Sequence, residues 1–201
     1  MNRKIGMVSS AVTLSCVILF ALFMLLNWSF GAYAICIVLA LGYVSMVSAF
    51  NSFTKKEYEA AKLASLSFAI IYAVFVLMVY YAQITTLMKA NPTNEIAFLI
   101  DYKKFGLFFS YNLFGYAILS ISTFFLGLTI SVKNKTDQLL RKLLLIHGLF
   151  SSVALVPIFG IFDADSAGSD IMGIAALEIW CIYFIPICVL SYKHFKNIEM
   201  K

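Results

Sequence analysis

The stretch IMGIAALEIWCIYFIPICVL, residues 171–190, carries one carboxylate, Glu178, among nineteen uncharged side chains. An acid in such a setting can exchange a proton, hold a cationic or hydroxylated ligand, or polarise a reacting group. Charging a carboxylate at the centre of a membrane helix costs about 2.5–3.5 kcal/mol on insertion scales. Glu178 is therefore expected to be neutral, or bonded to polar side chains on neighbouring helices. The plainer alternative is a buried acid that only cross-links helices.

The side chains that can meet it lie in two other apolar runs. In SYNLFGYAILSISTFFLGL, residues 110–128, Asn112, Gly115, Tyr116, Ser120, Thr123 and Gly127 recur at three- and four-residue steps. On a helix that spacing makes one polar, small-residue stripe, which faces other helices rather than lipid. The stripe serves either close packing or the wall of a cavity. Gln83 lies near the end of an earlier run, with Tyr72 and Thr86 on roughly its face. At about 1.5 Å per residue, Glu178 lies roughly 11 Å, Asn112 roughly 8 Å and Gln83 roughly 6 Å below one membrane boundary. These three, with Tyr116 beneath, form a candidate ligand-binding layer. His147 is a candidate proton-relay residue or a satisfied core histidine. On this reading it enters from the opposite face, about 10 Å from Glu178 along the membrane normal. His194 sits in a basic tail and is expected to be solvated.

Six runs of about 19 to 26 residues position these groups: 5–27, 31–50, 64–87, 106–131, 143–161 and 171–192. About 20 helical residues cross a ~30 Å hydrocarbon core, whereas barrel strands are about half as long and alternate. The chain is 62% hydrophobic and 12% charged, with mean hydropathy +0.92. Soluble domains carry about 25% charged residues. The expectation is an all-α integral membrane protein, a single domain over 1–201 built as a bundle of six transmembrane helices. The first run is too long for a signal-peptide core and is read as a retained helix.

Loop charge sets the expected orientation. Twelve of the fifteen Lys and Arg residues fall at the N-terminus, in the second and fourth loops and in the C-terminal tail. Only Lys89, Lys103 and Lys104 fall on the other side. The positive-inside rule then places both termini in the cytoplasm. Between Asn91-Pro92 and Lys104 the third loop is expected to hold a short interfacial helix, either a connector or a lid over an outward-facing cavity. Pro157 and Pro186 are expected to kink the last two helices.

Several chemistries are excluded. Bis-histidine haem needs two intramembrane histidines, and only His147 qualifies. No span holds a lysine for a retinal Schiff base. HExxH, Gly-x-Ser-x-Gly, P-loop and TVGYG motifs are absent. Asp163-x-Asp165-x-x-Gly168 begins like a calcium loop, but Ile174 stands where its closing glutamate belongs. The four cysteines show no CxxC spacing, and no nucleic-acid module is present. No cofactor or metal is expected.

Three functions fit these residues. The first is binding or transport of a small amphipathic or weakly polar ligand, with Glu178 as a proton-coupled group. The second is a scaffold or partner subunit, in a homo-oligomer or with another protein. The third is a lipid-modifying enzyme, which leans least well on the residues because Glu178 has no second chemical group beside it. Small size and the absence of organelle signals point to a bacterial plasma membrane.

Overall fold

The computed structural model describes residues 1–90, 92–155, 158–159 and 169–198. Among these are eight α-helices: α1 (Asn2–Leu25), α2 (Ser29–Asn51), α3 (Glu59–Ala82), α4 (Met88–Ala90), α5 (Asn94–Ile100), α6 (Leu107–Thr129), α7 (Lys135–His147) and α8 (Ser169–Lys196). There is no strand among the described residues. Six segments are long and apolar enough to cross a membrane: Asn2–Leu25, Ser29–Asn51, Lys56–Ala90, Leu107–Thr129, Lys135–Leu155 and Gly173–Lys196. Each contains most of one expected run.

The helices are wound as a closed ring in chain order. α1 packs on α2, α2 on α3, α3 on α6, α6 on α7 and its continuation, α7 on α8, and α8 back on α1. The ring is locked at the end that holds both termini, here called proximal. Arg3 Nε donates to the Phe195 carbonyl at 3.1 Å, and its Nη2 to the Lys196 carbonyl at 2.7 Å. Those carbonyls belong to the last turn of α8, where unpaired C=O groups and the helix dipole favour a cation. Gly6 lets the two helices meet, since a Cβ there would stand 2.5 Å from the Phe195 ring.

α1 turns into α2 through a Schellman motif. Trp28 N–H donates to the Phe23 carbonyl at 2.9 Å and Asn27 N–H to Met24 at 3.1 Å, with Asn27 at φ 54°. Asparagine tolerates that left-handed position, and the Trp28 ring packs edge-on against Phe23 at 4.6 Å as the motif's apolar contact. The stripe on α6 faces inward as expected: Asn112, Gly115, Tyr116, Ser120, Thr123 and Gly127 are all buried. Ser122, outside that stripe, joins three helices. It accepts from the Tyr43 hydroxyl at 2.8 Å and donates to the Ser65 carbonyl at 2.7 Å.

The fifth segment departs from expectation. Its helix begins at Lys135, eight residues before the expected 143, so the stretch read as a basic loop is helical. Asn134 caps it, accepting from Asp137 N–H at 2.9 Å, while Asp137 Oδ2 takes the Lys133 N–H at 3.1 Å. Capping of this kind starts a helix inside a charged stretch. Glu178 is thus not the only acid in a spanning segment, because Asp137 is buried within this one. Its Oδ1 meets His194 Nδ1 at 2.7 Å, so His194 is tied to α7 rather than freely solvated. After His147 the chain tightens into a 3-10 helix, Gly148–Leu155. α8 continues through Pro186. Asn91, Pro157 and the Asp163–Gly168 loop lie outside the described residues.

Candidate functional site

A cavity with a defined lining lies at the distal end, opposite the termini. α1, α2, α3, α6 and α8 end or begin there around a cavity of about 140 Å³. Phe20, Phe23 and Met24 line it from α1, Tyr33 from α2 and Tyr80 from α3. The third loop contributes Tyr102 and Phe105, and Phe109, Ile174 and Leu177 close it from α6 and α8. Asn27, Ser29 and Gly173 complete the lining, and none of these described residues is charged. An engineered cavity of about 150 Å³ admits benzene, so this volume suits one aromatic ring or a short chain.

The walls are ordered by ring contacts. Tyr33 stacks on Tyr80 at 5.4 Å and leans on Tyr102 at 6.5 Å. Tyr102 and Phe105 each meet Phe109 edge-on, at 5.2 Å and 4.8 Å. Phe105 holds φ 51°, an uncommon conformation for a bulky residue and a cost of about 1–3 kcal/mol. Gly106 follows it with a forced identity: a Cβ there would lie 2.5 Å from the Phe98 carbonyl oxygen. Burial, with Tyr33 and Cys36 adding to it, pushes the Tyr102 phenol well above its ordinary pKa. Tyr102 therefore stays a neutral donor and acceptor.

Gln83 explains how the loop is held. It is fully buried at the start of a π-helical turn, Gln83–Leu87, that ends α3. Its Nε2 donates to the Ile100 carbonyl, and its Oε1 accepts from Tyr102 N–H at 3.2 Å. One amide thus clasps both sides of the bend between α5 and Tyr102. π-turns are often found at functional sites. Here the turn aims a side chain at the loop that walls the cavity.

The four candidate layer residues are not one cluster. Gln83 is engaged with loop backbone and does not line the cavity. Asn112 is 1% exposed, and neither its Nδ2 nor its Oδ1 has a hydrogen-bond partner. It lies beside the Tyr102 hydroxyl without reaching hydrogen-bond geometry. Tyr116, one turn further along α6, has its hydroxyl 3.9 Å from Cys36 Sγ and meets Tyr72 and Trp180 edge-on. Glu178 stands at the margin of the buried face of α8, between buried Cys181 and Ile182, which is 69% exposed. Its Oε1 is buried without a partner, and no hydrogen bond joins it to Asn112, Gln83 or Tyr116.

His147 lies deeper than its expected position. With α7 starting at Lys135, it is about 18 Å along the helix, so the bundle interior surrounds it. The Trp180 indole N–H donates to Nε2 at 3.1 Å. Indole nitrogen donates only, so Nε2 carries the lone pair and the neutral ring holds its proton on Nδ1. Nδ1 then donates to Thr123 Oγ1 at 2.8 Å, and Thr123 donates to the Ser120 carbonyl at 2.8 Å. The chain is complete with histidine neutral. Protonating Nε2 would set two N–H groups against each other.

Sequence reasoning passed over Tyr33 and Tyr102 as site residues. The available signal was their place at helix ends, where amphipathic aromatic rings gather in membrane proteins. Among the described residues no group of three or more His, Cys, Asp or Glu side chains is placed to hold a metal ion. The class that the fold defines is a multi-pass helical membrane protein. Comparison with protein families, curated proteins and solved structures finds no match to this chain.

Proposed function

We propose that this protein binds a small amphipathic molecule in the distal half of its membrane-embedded bundle. The supporting observation is the cavity of about 140 Å³, enclosed by apolar and tyrosine side chains where five helices end. Binding fits better than free passage. Beneath the cavity the core is filled by Tyr43, Tyr72, Tyr116, Trp180 and Phe184, in contact with one another. The third loop is the way in, since it supplies one wall and Gln83 clasps its bend through one amide. Its helix α5 exposes Ile96, Phe98 and Leu99, as a segment resting on the bilayer surface does.

In this reading both termini face the cytoplasm and the cavity opens toward the outer leaflet of a plasma membrane. Glu178, one turn beyond Ile174 of the lining, is the group through which protonation acts on binding, and Asn112 and Tyr116 form the polar floor. The test is native mass spectrometry of the detergent-purified protein beside a Leu177→Trp variant, whose larger ring fills the cavity. A bound small molecule present in the first and absent from the second supports the proposal. Equal occupancy, or none in either at equal stability, refutes it in favour of a scaffold. Loss of pH dependence in Glu178→Gln then tests the proton coupling separately.

A further inference from the structure

The walls of the cavity also constrain the chemistry of its occupant. On the premise that the cavity is the binding site, we infer that the ligand is a neutral molecule about the size of one aromatic ring. Its head group both donates and accepts a hydrogen bond, and Asn112 recognises that head. A primary amide offers two donors and an acceptor with two lone pairs. In Asn112 both polar atoms are buried and without a partner in the protein. A buried polar group left unpaired keeps the full cost of its lost hydration. The fold nonetheless keeps an amide there, on the face of α6 where Phe109 stands one turn before it. Phe109 and Tyr102 both line the cavity, and Asn112 lies beside the Tyr102 hydroxyl. Asn112 is not itself a lining residue; it lies behind Tyr102 and Phe109, and a head group meets it by taking the place of the Tyr102 hydroxyl beside it.

Charged heads fit poorly. No cationic side chain is among the described lining residues to receive an anion. The tyrosine and phenylalanine faces attract cations, but no carboxylate is among the described lining residues either, and an unpaired ion is costly to desolvate there. An alcohol, phenol or carboxamide head meets the donors and acceptor of Asn112 without that cost.

The experiment is ¹⁹F NMR of the full-length protein in detergent micelles, titrated with fluorobenzene, 4-fluorophenol and 4-fluorobenzoate, with tetramethylammonium as a competitor. Signal lost in Leu177→Trp defines cavity binding against partition into the micelle. The expected result is that 4-fluorophenol binds about tenfold more tightly than fluorobenzene, as one or two neutral hydrogen bonds allow. Asn112→Leu should abolish that preference and keep fluorobenzene binding. Asn112→Thr, which retains one hydroxyl, should keep part of it, and it decides the matter if the leucine variant does not fold. A preference that survives both substitutions overturns the assignment to Asn112. Tightest binding of the benzoate, or displacement by tetramethylammonium, overturns the neutral head. If no probe binds the wild type in the cavity, the cavity reading fails first and this inference with it.

Discussion

Trp180→Phe tests the tautomer assigned to His147. The substitution removes the indole N–H and leaves Nε2 of His147 with an unused lone pair in a buried site. It keeps a ring against Phe184, now stacked at 4.9 Å, and against Tyr116, at 5.2 Å. His147 stays packed against Phe150 at 5.1 Å, Tyr183 at 5.7 Å and Phe184 at 5.3 Å, so it has little freedom to find another donor. An unsatisfied buried acceptor costs about 1–3 kcal/mol in soluble proteins. Interhelical hydrogen bonds in membranes average about 0.6 kcal/mol and reach about 1.7. The membrane scale governs here, because the reference state also finds partners, and His147 is fully buried. The expected coupling between Trp180→Phe and His147→Phe in a double-mutant cycle is therefore about 1 kcal/mol, measured by reversible unfolding in mixed micelles. In ¹⁵N NMR of the wild type, Nδ1 should carry the proton and Nε2 none at neutral pH. A proton on Nε2, or a coupling near zero, would refute the hydrogen-bond chain from Trp180 through Thr123 to the Ser120 carbonyl.

Contacts elsewhere in the bundle set three further outcomes. Gln83→Leu removes both of its hydrogen bonds to the third loop, so amide exchange around residues 100–102 should speed up about 30-fold, matching two hydrogen bonds of about 1 kcal/mol each, while α2 and α6 stay protected. Asp137→Asn should lower stability by about 1–3 kcal/mol, because the His194 pair at 2.7 Å loses its charge, and hydrogen exchange should then rise in the last turns of α8. Asn134→Ala should cost about 1 kcal/mol and fray the start of α7, visible as faster exchange over 135–139.

The spans were legible because lipid demands long apolar helices, and the α6 stripe because 3.6-residue periodicity exposes a shared face. The start of α7 was not, although its signal was present. Asn134 and Asp137 stand at capping spacing, but Lys133, Lys135, Arg141 and Lys142 around them resemble a positive-inside loop. That eight-residue error also set His147 too shallow, and it hid the pairing of Asp137 with His194, 57 residues away in the chain. Depth along each helix put Glu178 level with Asn112 and Gln83. Depth says nothing about rotation, and rotation turns Glu178 toward the margin of α8. The cavity had no linear signature at all. It exists because side chains from five helix ends and one loop fail to fill the space between them, and that depends on the relative placement of residues up to about 150 positions apart.

The Arg3 clasp on Phe195 and Lys196 spans 192 and 193 positions of the sequence. Of the described helices α1 is synthesised before the others, yet one of its two neighbours, α8, is synthesised after them. The hydroxyls of Ser9, Ser10 and Thr13 need no partner helix, because each bonds to a carbonyl one turn back on its own helix. α1 can therefore wait in lipid with its polar groups satisfied. The same adjacency makes the chain a candidate for circular permutation, with a short linker from 196 to 3 and new ends in the turn at 53–55.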